Sequence, residues 1–150
     1  MRLVIQRVLR ASVEVEGKEV SRIDKGLLIF VGVETGDNEK DAEWLAAKTA
    51  NMRIFSDSDG IMNLSLIDVL GDALAVSQFT LTASTKKGNR PSYIRAAGHD
   101  LAVPLYERYC NILSGLLGKE IKKGVFGADM QVALVNDGPV TIVIDSRLKE

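Results

Sequence analysis

The sequence predicts one α/β domain: mostly antiparallel sheets with two helices packed on one side, in a layered, α/β/β-like arrangement. Three observations lead there. The patterned segments run in the order three strands, helix, strands, helix, strands. Hairpin signals dominate over the strand–helix–strand signals of a doubly wound fold. The 150 residues contain no linker, repeat or long charge block, so 1–150 reads as a single domain. A chain of this size can bury roughly 68–70% of its unfolded surface, enough for a core without disulfide staples.

Leu3 to Val8 is rich in β-branched and aliphatic residues and predicts a strand. Val13 to Val20 predicts a hairpin, with Val13 and Val15 on one face and Gly17-Lys18 at the turn. Leu27 to Val33 is a continuous apolar run and predicts a buried strand. A helix is expected over about Glu39 to Asn51. Asp37 or Asn38 can cap it, Glu39 and Asp41 suit its positive end, and Ala42, Leu45, Ala46 and Thr49 recur at helical spacing. Met52 to Phe55 predicts a short strand. Ala73 to Leu81 predicts another, ending in a polar kink, and Thr82 to Tyr93 a long loop. The second helix lies within His99 to Leu117. Pro104 is tolerated only in a first turn, so the helix proper is expected from about Leu101 to Val103, with Gly118 closing it. Met130 to Val135 and Val140 to Ile144 predict two β runs separated by Asn136-Asp-Gly-Pro139, where proline must interrupt the ladder.

Composition excludes several functions. Nineteen Lys and Arg against twenty Asp and Glu give a net charge of −1, which rules out coating nucleic acid by charge alone. No apolar run approaches the roughly 18 residues of a membrane span, so no membrane partner is expected. One cysteine, Cys110, can form no internal disulfide, and a reducing cytoplasm is the expected location. One histidine, His99, leaves no spare imidazole for a metal site. H-E-x-x-H, G-x-S-x-G, the P-loop and G-x-G-x-x-G are absent. The Ser56-Asp-Ser-Asp-Gly60 turn lacks the remaining ligands of a calcium loop. An enzyme built from this inventory has few side-chain acids and bases to use.

Three segments could carry chemistry. Ser77, Gln78 and Thr80 end an apolar strand; free amides there, with a hydroxyl, could hold an oxyanion, or could simply bond to their own turn. Gly138-Pro139 reads as a turn between β runs. Lys86, Lys87 and Arg90 could hold phosphates or be solvated surface, as could Lys119, Lys122 and Lys123. His99, at a helix start, reads as structural, Trp44 and Cys110 as core, and Arg7 as one half of an ion pair.

Taken together, Ser77-Gln-Phe-Thr-Leu81, Gly88-Asn-Arg-Pro-Ser92, Gly127-Ala-Asp-Met130 and Asn136-Asp-Gly-Pro-Val-Thr141 resemble the D-aminoacyl-tRNA deacylase family. The likeness runs from Met1-Arg-Leu-Val-Ile-Gln-Arg-Val8 to the last strands; Tyr93 stands where phenylalanine is more usual. The resemblance implies a homodimeric proofreading hydrolase acting on the aminoacyl-tRNA 3′ end, with no metal or cofactor. It implies that Ser77, Gln78, Phe79 and Thr80 form the catalytic pocket for the ester. Gly138 and Pro139 would be a cis dipeptide that enters the partner subunit's pocket and blocks L-amino acids. Met130, Asn136, Lys86, Lys87 and Arg90 are the expected substrate and tRNA contacts. Substrate-assisted hydrolysis through the ribose 2′-hydroxyl, and a side activity on glycyl-tRNA, are also expected. Two other readings remain: a non-catalytic nucleic-acid-binding dimer on the same scaffold, and an editing module for another misacylated tRNA.

Overall fold

β1 (Arg2–Val15) organises the molecule, because it contributes to two layers. The computed structural model describes all of residues 1–150. One edge of β1 pairs antiparallel first with β3 (Gly26–Gly32) and then with β2 (Lys18–Ile23). Its other edge pairs antiparallel with β8 (Gln131–Asp145). Leu3 and Ile5 join the larger core, whereas Val8, Ala11 and Val13 join a second one. In a regular strand Ile5 and Ala11 would face the same way. Register shifts against β8 between Gln6 and Val8, and between Val8 and Arg10, break that alternation. The strand thereby bends, and its second half with β2 covers the far face of β3 and β6 (Asp72–Ser77).

The buried strands show why both faces are apolar. Leu27, Ile29, Val31, Ala73 and Ala75 face the helices, while Leu28, Leu74 and Val76 face the β layer. The layered α/β architecture expected from the sequence is the one found. Its sheet is mixed: β3 and β6 are parallel, as are β6 and β7 (Lys122–Lys123). Helical crossovers join both parallel pairs, α1 (Glu39–Asn51) within the first and α2 (His99–Leu117) within the second. A short separate hairpin pairs β4 (Phe55–Ser56) with β5 (Met62–Leu64).

Asn38, not Asp37, caps α1. Its Oδ1 accepts from the Lys40 amide at 3.0 Å, and Asp41 accepts from the Asn38 amide at 2.9 Å. Asp37 is buried and pairs with the Met1 amine at 2.7 Å. The two helices pack side by side, joined by Thr49 Oγ1 and Tyr109 OH at 2.9 Å, and Tyr106 donates to the Ala75 carbonyl of β6 at 3.0 Å.

Local boundaries differ from expectation: the Leu3–Val8 run and the first arm of the Val13–Val20 hairpin are one strand, β1, and β5 and β7 have no counterpart among the expected elements. The short strand is Phe55–Ser56 rather than Met52–Phe55. β6 stops at Ser77, and Phe79–Thr82 is a 3-10 turn. α2 begins at His99, so Pro104 lies inside it, and the carbonyl it leaves unpaired belongs to exposed Asp100, where water can reach. The two C-terminal runs form one continuous strand. Between Thr141, opposite Gln6, and Asn136, opposite Val8, residues 137–140 loop out of its ladder.

Cys110 is core, as expected, whereas Trp44 is only partly buried against it. Burial, with Glu107 adding to it, pushes the Cys110 thiol up to about 12. An unfolded thiol loses its proton near pH ~8.5. The native state therefore retains a proton that the unfolded chain releases, so this contribution is full below that pH and declines above it. Native protein at pH ~8 is expected to resist iodoacetamide, with alkylation appearing only after unfolding in guanidinium. Mass spectrometry reads both states; equal labelling would contradict the assignment.

Candidate active site

A cavity of about 520 Å³ opens where β6 ends. Ser77, Gln78 and Phe79 form one wall and Met130, at the entry to β8, another. Ala96, His99 and Phe126 contribute to the remainder, and the lining is mostly apolar. His99 meets Phe126 edge-on, with ring centroids 5.5 Å apart.

The polar edge arises because β6 cannot continue. The Gln78 amide makes a last bond to the Val31 carbonyl, at 2.8 Å, and the chain then coils into the Phe79–Thr82 turn. Gly32 permits that close approach: a Cβ there would lie 3.0 Å from Leu81 Cβ and 3.1 Å from the Gln78 carbonyl. The turn has no side-chain cap at its start. The first amides of such a turn have no acceptor behind them, and the turn and cap hydrogen bonds include neither the Phe79 nor the Thr80 amide.

Thr80 Oγ1 accepts from Gln78 Nε2 at 2.5 Å, and no hydrogen bond supplies it with a base. His99 reaches the cavity from α2 and bonds to neither Ser77 nor Thr80. Phe79 is exposed and stands edge-on to Tyr93, centroids 5.1 Å apart. At the far end of the turn, Arg2 Nη1 donates to the Leu81 carbonyl at 2.8 Å and Arg95 Nη2 to the Thr82 carbonyl at 3.1 Å. Arg2 also pairs with Asp145 at 2.8 Å. Burial works against the Asp145 charge, but hydrogen bonds from Arg2 and the Arg147 amide outweigh it and hold the carboxyl below its usual range.

Thr80 and the remaining expected residues lie off the cavity wall. Asn136 closes the residues that loop out of β8: its Oδ1 accepts from the Val140 amide at 3.1 Å and its Nδ2 donates to Thr141 Oγ1 at 3.0 Å. Gly138 and Pro139, joined by a cis peptide bond, are exposed at the tip of that loop. Arg7 is an ion-pair partner, as expected. Its Nε lies 3.1 Å from Asp137 Oδ2, and its Nη1 donates to the Ile54 carbonyl at 2.6 Å. Lys86, Lys87 and Arg90 are exposed, without acidic partners, on a loop closed by the Ser84–Ser92 bridge. No group of three or more His, Cys, Asp or Glu side chains gathers to hold a metal ion.

The model of the D-Tyr-tRNA(Tyr) deacylase family matches residues 4–145. The chain belongs to that family. It is 62% identical over 150 residues to the D-aminoacyl-tRNA deacylase of Porphyromonas gingivalis, with all of both chains covered. Identity to the protein of the same name from Bacteroides thetaiotaomicron is 58%, again over the whole of both. A solved structure of a c-Myc DNA Unwinding Element Binding Protein is similar with a TM-score of 0.92 at 39% identity, over 97% of this chain and 98% of that one. The structure of a probable eukaryotic D-amino acid tRNA deacylase is similar in fold, with a TM-score of 0.83 at 17% identity over 95% and 97%.

In this deacylase-family chain, reasoning from residue types missed His99, which lines the cavity instead of serving only the helix start. Gly127, whose Cβ would come 3.9 Å from His99 Cε1, and Phe126 meet it only through tertiary packing, so no sequence pattern announces it. Ala96 and Ala97 carried no sequence signal as cavity wall; the Glu34–Ala96 bridge puts them there.

Proposed function

We propose that the chain is a carboxylic ester hydrolase that removes D-amino acids from tRNA in the cytoplasm. Water adds to the ester carbonyl and the bond to the ribose oxygen breaks. Free D-amino acid and a tRNA with a free 3′-hydroxyl are the products. Membership of a deacylase family supports this reading, and the observation that carries it is the Phe79–Thr82 turn. It offers unpaired amides at the edge of an apolar cavity and no nucleophile–base pair.

Thr80, lacking a base, is a poor nucleophile. The vicinal ribose 2′-hydroxyl is already held beside the carbonyl and can orient or activate water. The Phe79 or Thr80 amide would then receive the oxyanion, a contribution of about 2.7–4 kcal/mol for one well-placed donor. Thr80→Ala is therefore expected to keep kcat on D-Tyr-tRNA within about threefold, since no covalent step uses its hydroxyl. A fall of several decades in single-turnover rate would overturn this mechanism.

Handedness requires an obstacle, because D and L esters carry the same groups. Gly138 and Pro139 do not line the cavity of their own chain, so in this proposal a second copy supplies them. The outer edge of β8 supports a homodimer. β8 pairs only with β1, which leaves the edge of a 15-residue strand open, and Val143 is 61% exposed. Glycyl-tRNA, lacking the screened side chain, would be a side substrate. Lys86, Lys87 and Arg90 would meet tRNA phosphates, and a few such contacts suit rapid release. No helix is long and apolar enough to cross a membrane.

A second reading rests on the 39%-identical DNA Unwinding Element Binding Protein. Release of tyrosine from D-Tyr-tRNA by the purified chain distinguishes the two. Catalytic turnover supports the hydrolase; stoichiometric nucleic-acid binding without turnover supports the alternative.

A further inference from the structure

We propose that Glu34, acting through Arg2 and Arg95, positions the Phe79–Thr82 turn for deacylation; the inference rests on the hydrolase reading above. Glu34 is buried, with its side chain 6% exposed. Its Oε1 has no hydrogen-bond partner, yet it lies 3.9 Å from Arg2 Nη2 and 3.8 Å from Arg95 Nη1. Each of these guanidiniums uses another nitrogen to hold a carbonyl of the turn, Arg2 at Leu81 and Arg95 at Thr82. One carboxylate thus stands behind two cations whose other ends grip consecutive residues of the same turn.

The backbone explains how they meet. Glu34 forms an isolated antiparallel bridge with Ala96 just beyond the end of β3, and the Thr35 amide donates to the Arg95 carbonyl at 2.9 Å, so the segments carrying Glu34 and Arg95 run side by side. A buried carboxylate needs opposite charge, and a guanidinium can satisfy it while donating elsewhere. Arg2 has a second anchor in Asp145, whereas Glu34 is the one carboxylate paired with Arg95. Arg95 is thus the more dependent of the two. Arg147 pairs with Glu34 Oε2 at 3.2 Å and with Asp37 at 3.0 Å but does not touch the turn. It supplies an internal control.

Arg95→Gln and Arg147→Gln are compared with the wild type on D-Tyr-tRNA, together with hydrogen exchange in the peptide covering 78–83. Both arginines are partly exposed, so both variants should fold. Arg95→Gln is expected to lower kcat by about 10- to 100-fold, the scale of effect of displacing a reacting group, with little change in KM. It should also speed exchange in the turn. Arg147→Gln is expected to leave kcat within about twofold and turn exchange unchanged, even where Tm falls equally. Glu34→Gln should resemble Arg95→Gln, and combining the two should cost little more than either alone. Equal kcat and equal exchange for the two arginine variants would overturn the proposal. Should the wild type itself lack turnover, the hydrolase reading fails, while turn exchange still decides whether Arg95 holds the turn.

Discussion

D-Tyr-tRNA ending in a 2′-deoxyribose is expected to be deacylated at least about a thousandfold more slowly than the natural substrate. The reason is the poverty of the cavity edge. Thr80 accepts from Gln78 and has no base, Ser77 ends a strand, and His99 bonds to neither. The substrate hydroxyl then supplies what the side chains lack. A well-oriented neighbouring group can contribute about 7–11 kcal/mol, and losing even about 4 kcal/mol slows a step by roughly a thousandfold. Single-turnover rates with the two substrates test this, with binding measured separately. A deoxy substrate hydrolysed within a few-fold of the natural one would require a nucleophile or base on the protein.

Gly138→Ala is expected to lower the ratio of D- to L-tyrosyl-tRNA hydrolysis by about tenfold or more. Gly138 has φ +122, a region that side chains rarely adopt. An added Cβ would lie 3.0 Å from Arg7 Nη2 and from Val140 Cγ2. Arg7 is buried and anchored outside the loop by its bond to the Ile54 carbonyl, so the exposed loop is what must shift. Strain of about 1–3 kcal/mol at such a position, transmitted to the obstacle, is enough for a tenfold change in selectivity. Kinetics on the two esters reads the effect. An unchanged ratio, in a variant with native secondary structure, would remove the loop from any part in chirality.

Much of this architecture was legible because local and tertiary demands agree. The doubly buried run Leu27–Val31, the capped helix from Glu39 and the left-handed Gly118 closure all follow from residue type. Parallel pairing was less legible. A continuous apolar strand beside a helix signals burial on both faces but not the direction of its neighbour. The end of β6 was misread because Phe79 and Leu81 have strand-like propensity, whereas Gly32 and the two arginines pull that segment into a turn. The β8 loop was half visible. Pro139 announced a break, but the Asn136 bonds that let the strand resume at Thr141 span the interruption and depend on tertiary register. At the candidate site, Ser77, Gln78, Phe79 and Met130 lie on one cavity. His99 and the alanine wall depend on pairing between distant segments, which no local pattern reveals.

The most direct measurement is the pair of rate constants for D-Tyr-tRNA and L-Tyr-tRNA with the purified protein, each referred to its spontaneous hydrolysis. The account predicts rapid release from the D ester and a rate close to background from the L ester. Hydrolysis of both at the same rate, or of neither, would contradict it.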